Sequence, residues 1–117
     1  MKKILVVDDD EGILDAVSLI LQDEVYAVET VTKGSETFKK ISAVHPDVII
    51  LDVLMSGTDG RDICRKIKAD HQMKGIPVIM MSAHPAANQG AVDCGADGFV
   101  AKPFEINELL DEIKRHT

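Results

Sequence analysis

Four short apolar runs govern what this chain can fold into: Ile4-Leu5-Val6-Val7, Val48-Ile49-Ile50-Leu51, Val78-Ile79-Met80-Met81 and Phe99-Val100-Ala101. Each is apolar at every position rather than at alternate ones. That is the pattern of a strand covered on both faces, as in a parallel sheet. A weaker fifth strand is read over Val25 to Val31. Helical periodicity fills the intervals. Ile13, Val17, Ile20 and Leu21 follow i, i+4, i+7, i+8, after acidic residues suited to a helix N-terminus. Phe38 and Ile41 mark a second helix after Gly34-Ser35, and Ile63, Cys64 and Ile67 a third after Asp59-Gly60. Ile106, Leu109, Leu110 and Ile113 mark the last, begun by Pro103-Phe104-Glu105. The segment from Ala86 to Cys94 is interrupted by Gly90 and lacks large apolar residues. A helix is placed there because a parallel crossover needs a segment of that length. Strand and helix thus alternate five times, an α/β pattern with helices on both faces of a parallel sheet.

In doubly wound folds ligands bind at the carboxyl ends of the strands. Those ends are Asp8-Asp9, Asp52, Ser82-Ala83 and Lys102-Pro103. Asp52 could simply end a strand and start a turn, but it is not alone on that edge. Two carboxylates after the first strand and one after the third repel by roughly 4 kcal/mol per pair at about 4 Å and an effective dielectric near 20. A proton or a cation must relieve that. Few, hard oxygen ligands with an open face suit Mg²⁺, and no His or Cys stands at zinc-like spacing. Lys102 adds a positive charge, Ser82 a hydroxyl and Ala83 a backbone N–H, together a trap for phosphoryl oxygens around a nucleophilic carboxylate. The chain has no Gly-rich phosphate loop, no GxGxxG and no Ser-His-Asp set.

The 117 residues are read as one domain, 1–117. Thirteen basic against twenty acidic residues leave a net charge of −7, which argues against this domain gripping a nucleic-acid backbone by itself. No apolar run approaches a membrane span or a secretory leader. Cys64 and Cys94 form no CxxC pair and read as buried thiols, with a reducing cytoplasm as the expected location.

The motifs "ILVVDDDEGI", "PDVIILDVLMSGTDG", "VIMMSA" and "GADGFVAKPF" together resemble the receiver domain of two-component response regulators, from Lys2 to about His116. Asp52 and Ser82 stand 30 residues apart, Ser82 and Lys102 a further 20, the intervals of that family. The resemblance implies a flavodoxin-like (βα)5 three-layer sandwich with strand order 2-1-3-4-5. It implies that Asp52 accepts a phosphoryl group from a phosphohistidine on a sensor histidine kinase or phosphotransfer protein. Asp9 and Asp52 would ligate Mg²⁺ directly with the backbone carbonyl of Leu54, and Asp8 through a water. Ser82 would bond the phosphoryl oxygen, Lys102 would pair with it, and Lys102-Pro103 would be a cis peptide. Ser82 and Phe99 would be the switch residues, with output through Phe99, the Ala86–Cys94 segment and the last helix. Such a domain catalyses only its own phosphorylation and dephosphorylation, and its output domain or target is left open.

Ser56 stands where the family usually has Pro, and Gly57 follows. Asp10 and Glu11 read as first-turn helix charges and Asp59 as the cap of the third helix. Leu54 and His84 flank the approach of a water to the phosphoryl group. A hydrolase of the haloacid dehalogenase type usually carries a second Asp where this chain has Leu54, which cannot donate a proton. An unphosphorylated pseudo-receiver is opposed by the presence of Asp9, Asp52, Ser82 and Lys102 together.

Overall fold

The computed structural model describes residues 1–55, 57–83 and 94–117. Its sheet strands are β1 (Lys3–Val7), β2 (Ala27–Val31), β3 (Val48–Asp52), β4 (Val78–Ser82) and β5 (Gly98–Ala101). All neighbours pair in parallel, in the order β2-β1-β3-β4-β5. The helices among the described residues are α1 (Glu11–Asp23), α2 (Thr37–Val44), α3 (Gly60–Ala69) and α4 (Ile106–Arg115). Residues 84–93, which hold most of the helix expected over Ala86 to Cys94, lie outside the described residues, as does Ser56.

Alternate side chains of the central strands feed two cores. Leu5, Val7, Ile49, Leu51, Val78 and Met80 pack under Ile41 of α2 and Ile63, Cys64 and Ile67 of α3. Ile4, Val6, Val48, Ile50, Ile79 and Met81 pack under α1 and α4 through Leu14, Val17, Leu21, Leu109, Leu110 and Ile113. Burial on both faces explains the unbroken apolar runs, each such side chain contributing about 1.5–3 kcal/mol. Edge strand β2 is mostly half-buried, hence its faint sequence signal. In α1 the innermost residues are Leu14, Val17 and Leu21, so Val17 and Leu21 stand as expected, Leu14 joins them, and Ile13 and Ile20 lie at the margin.

Asp10 caps α1, accepting from the N–H groups of Gly12 at 2.9 Å and Ile13 at 3.3 Å; only Glu11 is a first-turn charge. Asp59 caps α3 as expected, accepting from Arg61 N at 2.9 Å. At the opposite edge of the sheet from the strand ends, Lys68 Nζ donates to the Ile76 carbonyl at 2.8 Å and pairs with Asp97 at 2.7 Å. The same Asp97 oxygen accepts from Val78 N at 2.8 Å, so α3, the loop after it and the start of β4 are tied at one point. Cys64 and Cys94 are buried and in no disulfide, as expected. Burial, with the neighbouring Cys94, pushes the Cys64 thiol up to about 12, which leaves it inert.

Strand β2 begins at Ala27 rather than Val25, because α1 closes with a Schellman turn. Tyr26 N reaches back to Leu21 O at 3.0 Å and Val25 N to Gln22 O at 3.0 Å. This places Val25 at φ +67°, a conformation that suits glycine and costs a β-branched residue 1–2 kcal/mol or so. Val25 is also 68% exposed and so recovers little by packing. Val25→Gly is therefore expected to stabilise the protein by about 1 kcal/mol, read as a higher urea midpoint at unchanged slope; a lower midpoint would refute the strain.

Candidate functional site

The parallel register brings the polar strand ends into one row. Val7, the last residue of β1, is level with Val31 and Leu51, so Asp8 lies beside Asp52. Asp52 is level with Met81, one residue before Ser82, and Ser82 is level with Ala101. Lys102 follows, its N–H donating to the Ser82 carbonyl at 2.9 Å. The structure thus gathers Asp8, Asp9, Asp52, Ser82 and Lys102 at one edge, and the Lys102-Pro103 peptide is cis.

Asp8 is fully buried, and both its oxygens are engaged. One accepts from Asp10 N at 2.9 Å and the other from Lys102 Nζ at 2.8 Å. The same ammonium lies 3.3 Å from Asp52 Oδ1. Asp52 is 5% exposed, whereas Asp9 faces solvent. Asp8, Asp9 and Asp52 can each offer a carboxylate oxygen with all three within 4.8 Å of one another, a group able to hold a metal ion. One lysine does not neutralise this cluster. Burial first, then the charge of Asp8, pushes the Asp52 carboxyl up to about 6 against the pull of Lys102. Burial works against the charge of Lys102, but its hydrogen bond to Asp8 and the two carboxylates outweigh that and raise its pKa. An all-oxygen donor set with unrelieved negative charge and one solvent-facing member fits a hard divalent cation.

Ser82 is buried at the end of β4. Phe99 is half-buried on β5, level with Met80 and packed against the core under α2 and α3. Leu54 is 56% exposed, two residues past Asp52, in a short antiparallel ribbon of Leu54–Met55 with Thr58–Asp59. His84 lies outside the described residues.

Gly60 has a role that the sequence reading missed. A Cβ there would overlap the Asp52 carbonyl oxygen, and Gly60 N donates to Val53 O at 2.7 Å. The start of α3 is pressed against the backbone that carries Asp52, a closeness only glycine permits. The Asp59-Gly60 pair signalled a turn and a cap, but nothing in a turn signal marks close backbone approach. Asp59 also holds Arg61, whose Nε and guanidinium tip donate at 3.0 and 2.7 Å. That hydrogen bonding holds the Asp59 carboxyl below its ordinary range and stiffens the turn.

Comparison with known proteins bears on this arrangement. The family described as the response regulator receiver domain matches residues 4–114. Among curated proteins, the heme response regulator HssR of Staphylococcus epidermidis is 39% identical over 112 residues, covering 94% of this chain and 49% of that protein. The DNA-binding response regulator MtrA of Mycolicibacterium smegmatis is 30% identical over 115 residues, 97% of this chain and 49% of its own length. The chain thus spans about half the length of these curated relatives. The chemotaxis protein CheY4 of Vibrio cholerae superposes with a TM-score of 0.92 at 35% identity, covering 100% of this chain and 99% of that one. The receiver domain of NtrX from Brucella abortus gives 0.88 at 32% identity, over 97% and 96% of the two chains.

The raised Asp52 carboxyl carries a cost whose pH dependence has a defined sign. Between the ordinary 3.8 and about 6 the folded protein binds a proton at Asp52 that the unfolded chain has released. Stability contributed by Asp52 therefore falls as pH rises through that window, by up to about 3 kcal/mol, and stays low above it. With chelator present, Asp52→Asn is expected to be more stable than the parent by about 2 kcal/mol at pH 8, with the difference vanishing near pH 4. Urea titrations at the two pH values check this; an equal difference at both would show that the charge of Asp52 is not its source.

Proposed function

The chain belongs to the response regulator receiver domain family, the phosphoacceptors of two-component systems, and on that premise we propose that Asp52 is its acceptor. One observation carries the assignment. Asp52 alone combines a place at the end of the central strand, near-complete burial and direct contact with Lys102. Its carboxylate oxygen attacks the phosphorus of a phosphohistidine on a sensor histidine kinase or phosphotransfer protein. The P–O bond to Asp52 forms as the P–N bond breaks, and the imidazole leaves. Lys102 pairs with a phosphoryl oxygen and Ser82 hydrogen-bonds another, a reading supported by the 3.3 Å contact of Lys102 with Asp52 and by the position of Ser82 level with the end of β5. Mg²⁺ bound by Asp9 and Asp52, with the Leu54 carbonyl and with Asp8 through a water, would offset charge on the phosphoryl oxygens during transfer.

In this reading the domain is a signalling module that promotes only its own phosphorylation and dephosphorylation, in the cytoplasm. Ser82 and Phe99 lie on adjoining strands, and movement of Ser82 towards the phosphoryl group passes to Phe99 as the switch. Among the described residues no helix is long and apolar enough to cross a membrane. Against a dehalogenase-type hydrolase stands the exposed aliphatic Leu54, where that chemistry needs a proton donor.

A small acyl-phosphate donor with Mg²⁺ is expected to add one phosphate to the chain by intact mass, and none to Asp52→Asn or in excess chelator. Equal labelling of Asp52→Asn would remove the assignment. Loss of the phosphate needs a water aligned with the phosphorus, and Leu54 offers it no hydrogen bond. Leu54→Asn is expected to speed the decay about fivefold, the worth of one hydrogen bond of about 1 kcal/mol in the barrier. Decay is followed after donor removal at fixed pH and Mg²⁺; an unchanged or slower rate would end the shielding role of Leu54.

A further inference from the structure

Strand β2 is the end member of the sheet and, among the described residues, pairs only with β1. Ala27 N donates to Lys2 O at 2.9 Å, and Val31 O accepts from Asp8 N at 3.1 Å. Both residues thus turn their backbone groups towards β1. These directions alternate along a strand, so Val28 and Thr30 present their N–H and C=O outward. The register with β1 runs unbroken from Ala27 to Val31, with no proline and no bulge. Those are two of the devices that ordinarily keep another strand from adding to an open edge.

A groove runs along this edge, lined by Thr30, Val31, Glu36, Lys39, Lys40 and Ala43, with a volume of about 400 Å³. Side chains leave β2 on alternate faces. Val31 joins the core under α2 and α3, and Glu29 reaches Lys40 of α2 at 3.0 Å. Tyr26 and Val28 pack the other way, against the core under α1 and α4, and both are only half-buried. A strand laid beside β2 repeats that alternation, so one set of its side chains meets the lysines of α2 and the other meets Tyr26 and Val28. The charge on the α2 side runs against that of the whole chain. With a net charge of −7 overall, Lys33, Lys39 and Lys40 fall within eight residues against Glu36 alone. Among the described residues Lys33 and Lys39 make no ion pair. The Lys40–Glu29 pair is more than a third exposed on both sides, so it holds weakly and is free to rearrange.

We propose that the open edge of β2 receives an extended segment of a partner protein, with acidic residues at every second position and apolar residues between them. Its backbone bonds to Val28 and Thr30, its carboxylates face Lys39 and Lys40, and its apolar side chains lie along Tyr26 and Val28. A symmetric second copy fits poorly. A two-fold axis joining β2 to β2 would set two lysine-bearing α2 helices side by side. None of the groove residues belongs to the Asp52 cluster, so the proposal stands apart from the phosphoacceptor reading.

The probe is a synthetic peptide of about seven residues, some 23 Å long when extended, alternating Glu and Val. One counterpart alternates Lys and Val. Two others keep the Glu-Val sequence but carry N-methyl groups, one on the valine amides and one on the glutamate amides. Amide shifts of the full chain are expected to move at Val28, at Thr30 and along α2 with the glutamate peptide and not with the lysine peptide. Hydrogen exchange should slow at those two edge amides, and binding should weaken as salt rises. Methylation of one set of peptide amides should abolish binding, because only one set faces β2. Lys39→Glu should weaken binding about tenfold without moving the thermal transition, since Lys39 is exposed. Several outcomes would overturn the proposal: no shifts with the glutamate peptide, equal binding of the lysine peptide, shifts centred away from β2, full binding by both methylated peptides, or full binding by Lys39→Glu. Concentration-dependent self-association that protects Val28 and Thr30 without peptide would overturn it in favour of a second copy.

Discussion

A parallel sheet sends every strand out through the same edge, and the rest of this structure follows from that constraint. Here three of the five strand ends carry carboxylates or the lysine that answers them, so the fold itself concentrates charge. Asp8 is fully buried, which makes the 2.8 Å contact with Lys102 obligatory rather than ornamental. An unpaired carboxylate at that depth would cost several kcal/mol. The ammonium is shared, at 3.3 Å, with Asp52, and the division is unequal: Asp8 is well served and Asp52 is left under-compensated. That imbalance sets the two aspartates apart, although they stand at the ends of adjacent strands.

Much of this was legible in the sequence, for reasons that differ by element. The central strands were readable because burial on both faces leaves no polar position to blur the run. The strand ends were readable because polar residues interrupt apolar runs abruptly at Asp8, Asp52, Ser82 and Lys102. Edge strand β2 was readable only roughly. Its boundary was set by the Schellman turn at Val25, which no residue preference announces, since valine is a poor choice there. Asp10 reads as a first-turn charge although it caps the helix, because neighbouring acids in a run look alike without the backbone. The role of Gly60 depends on how closely α3 approaches the Asp52 carbonyl, a tertiary distance that a dipeptide cannot encode. The unequal sharing of Lys102 likewise belongs to three-dimensional geometry and not to spacing along the chain.

The knot at Lys68 has a mechanical consequence. Asp97 grips both the lysine and Val78 N at the beginning of β4, so that end of the strand is clamped to α3 and to the loop before it. Ser82, four residues on, sits at the other end of the same strand. A strand clamped at one end and pulled at the other behaves as a cantilever: displacement is smallest at the root and grows towards the tip. Any force applied at the acidic edge therefore bends the tip of β4, and with it the paired end of β5, while the far side of the sheet holds its register.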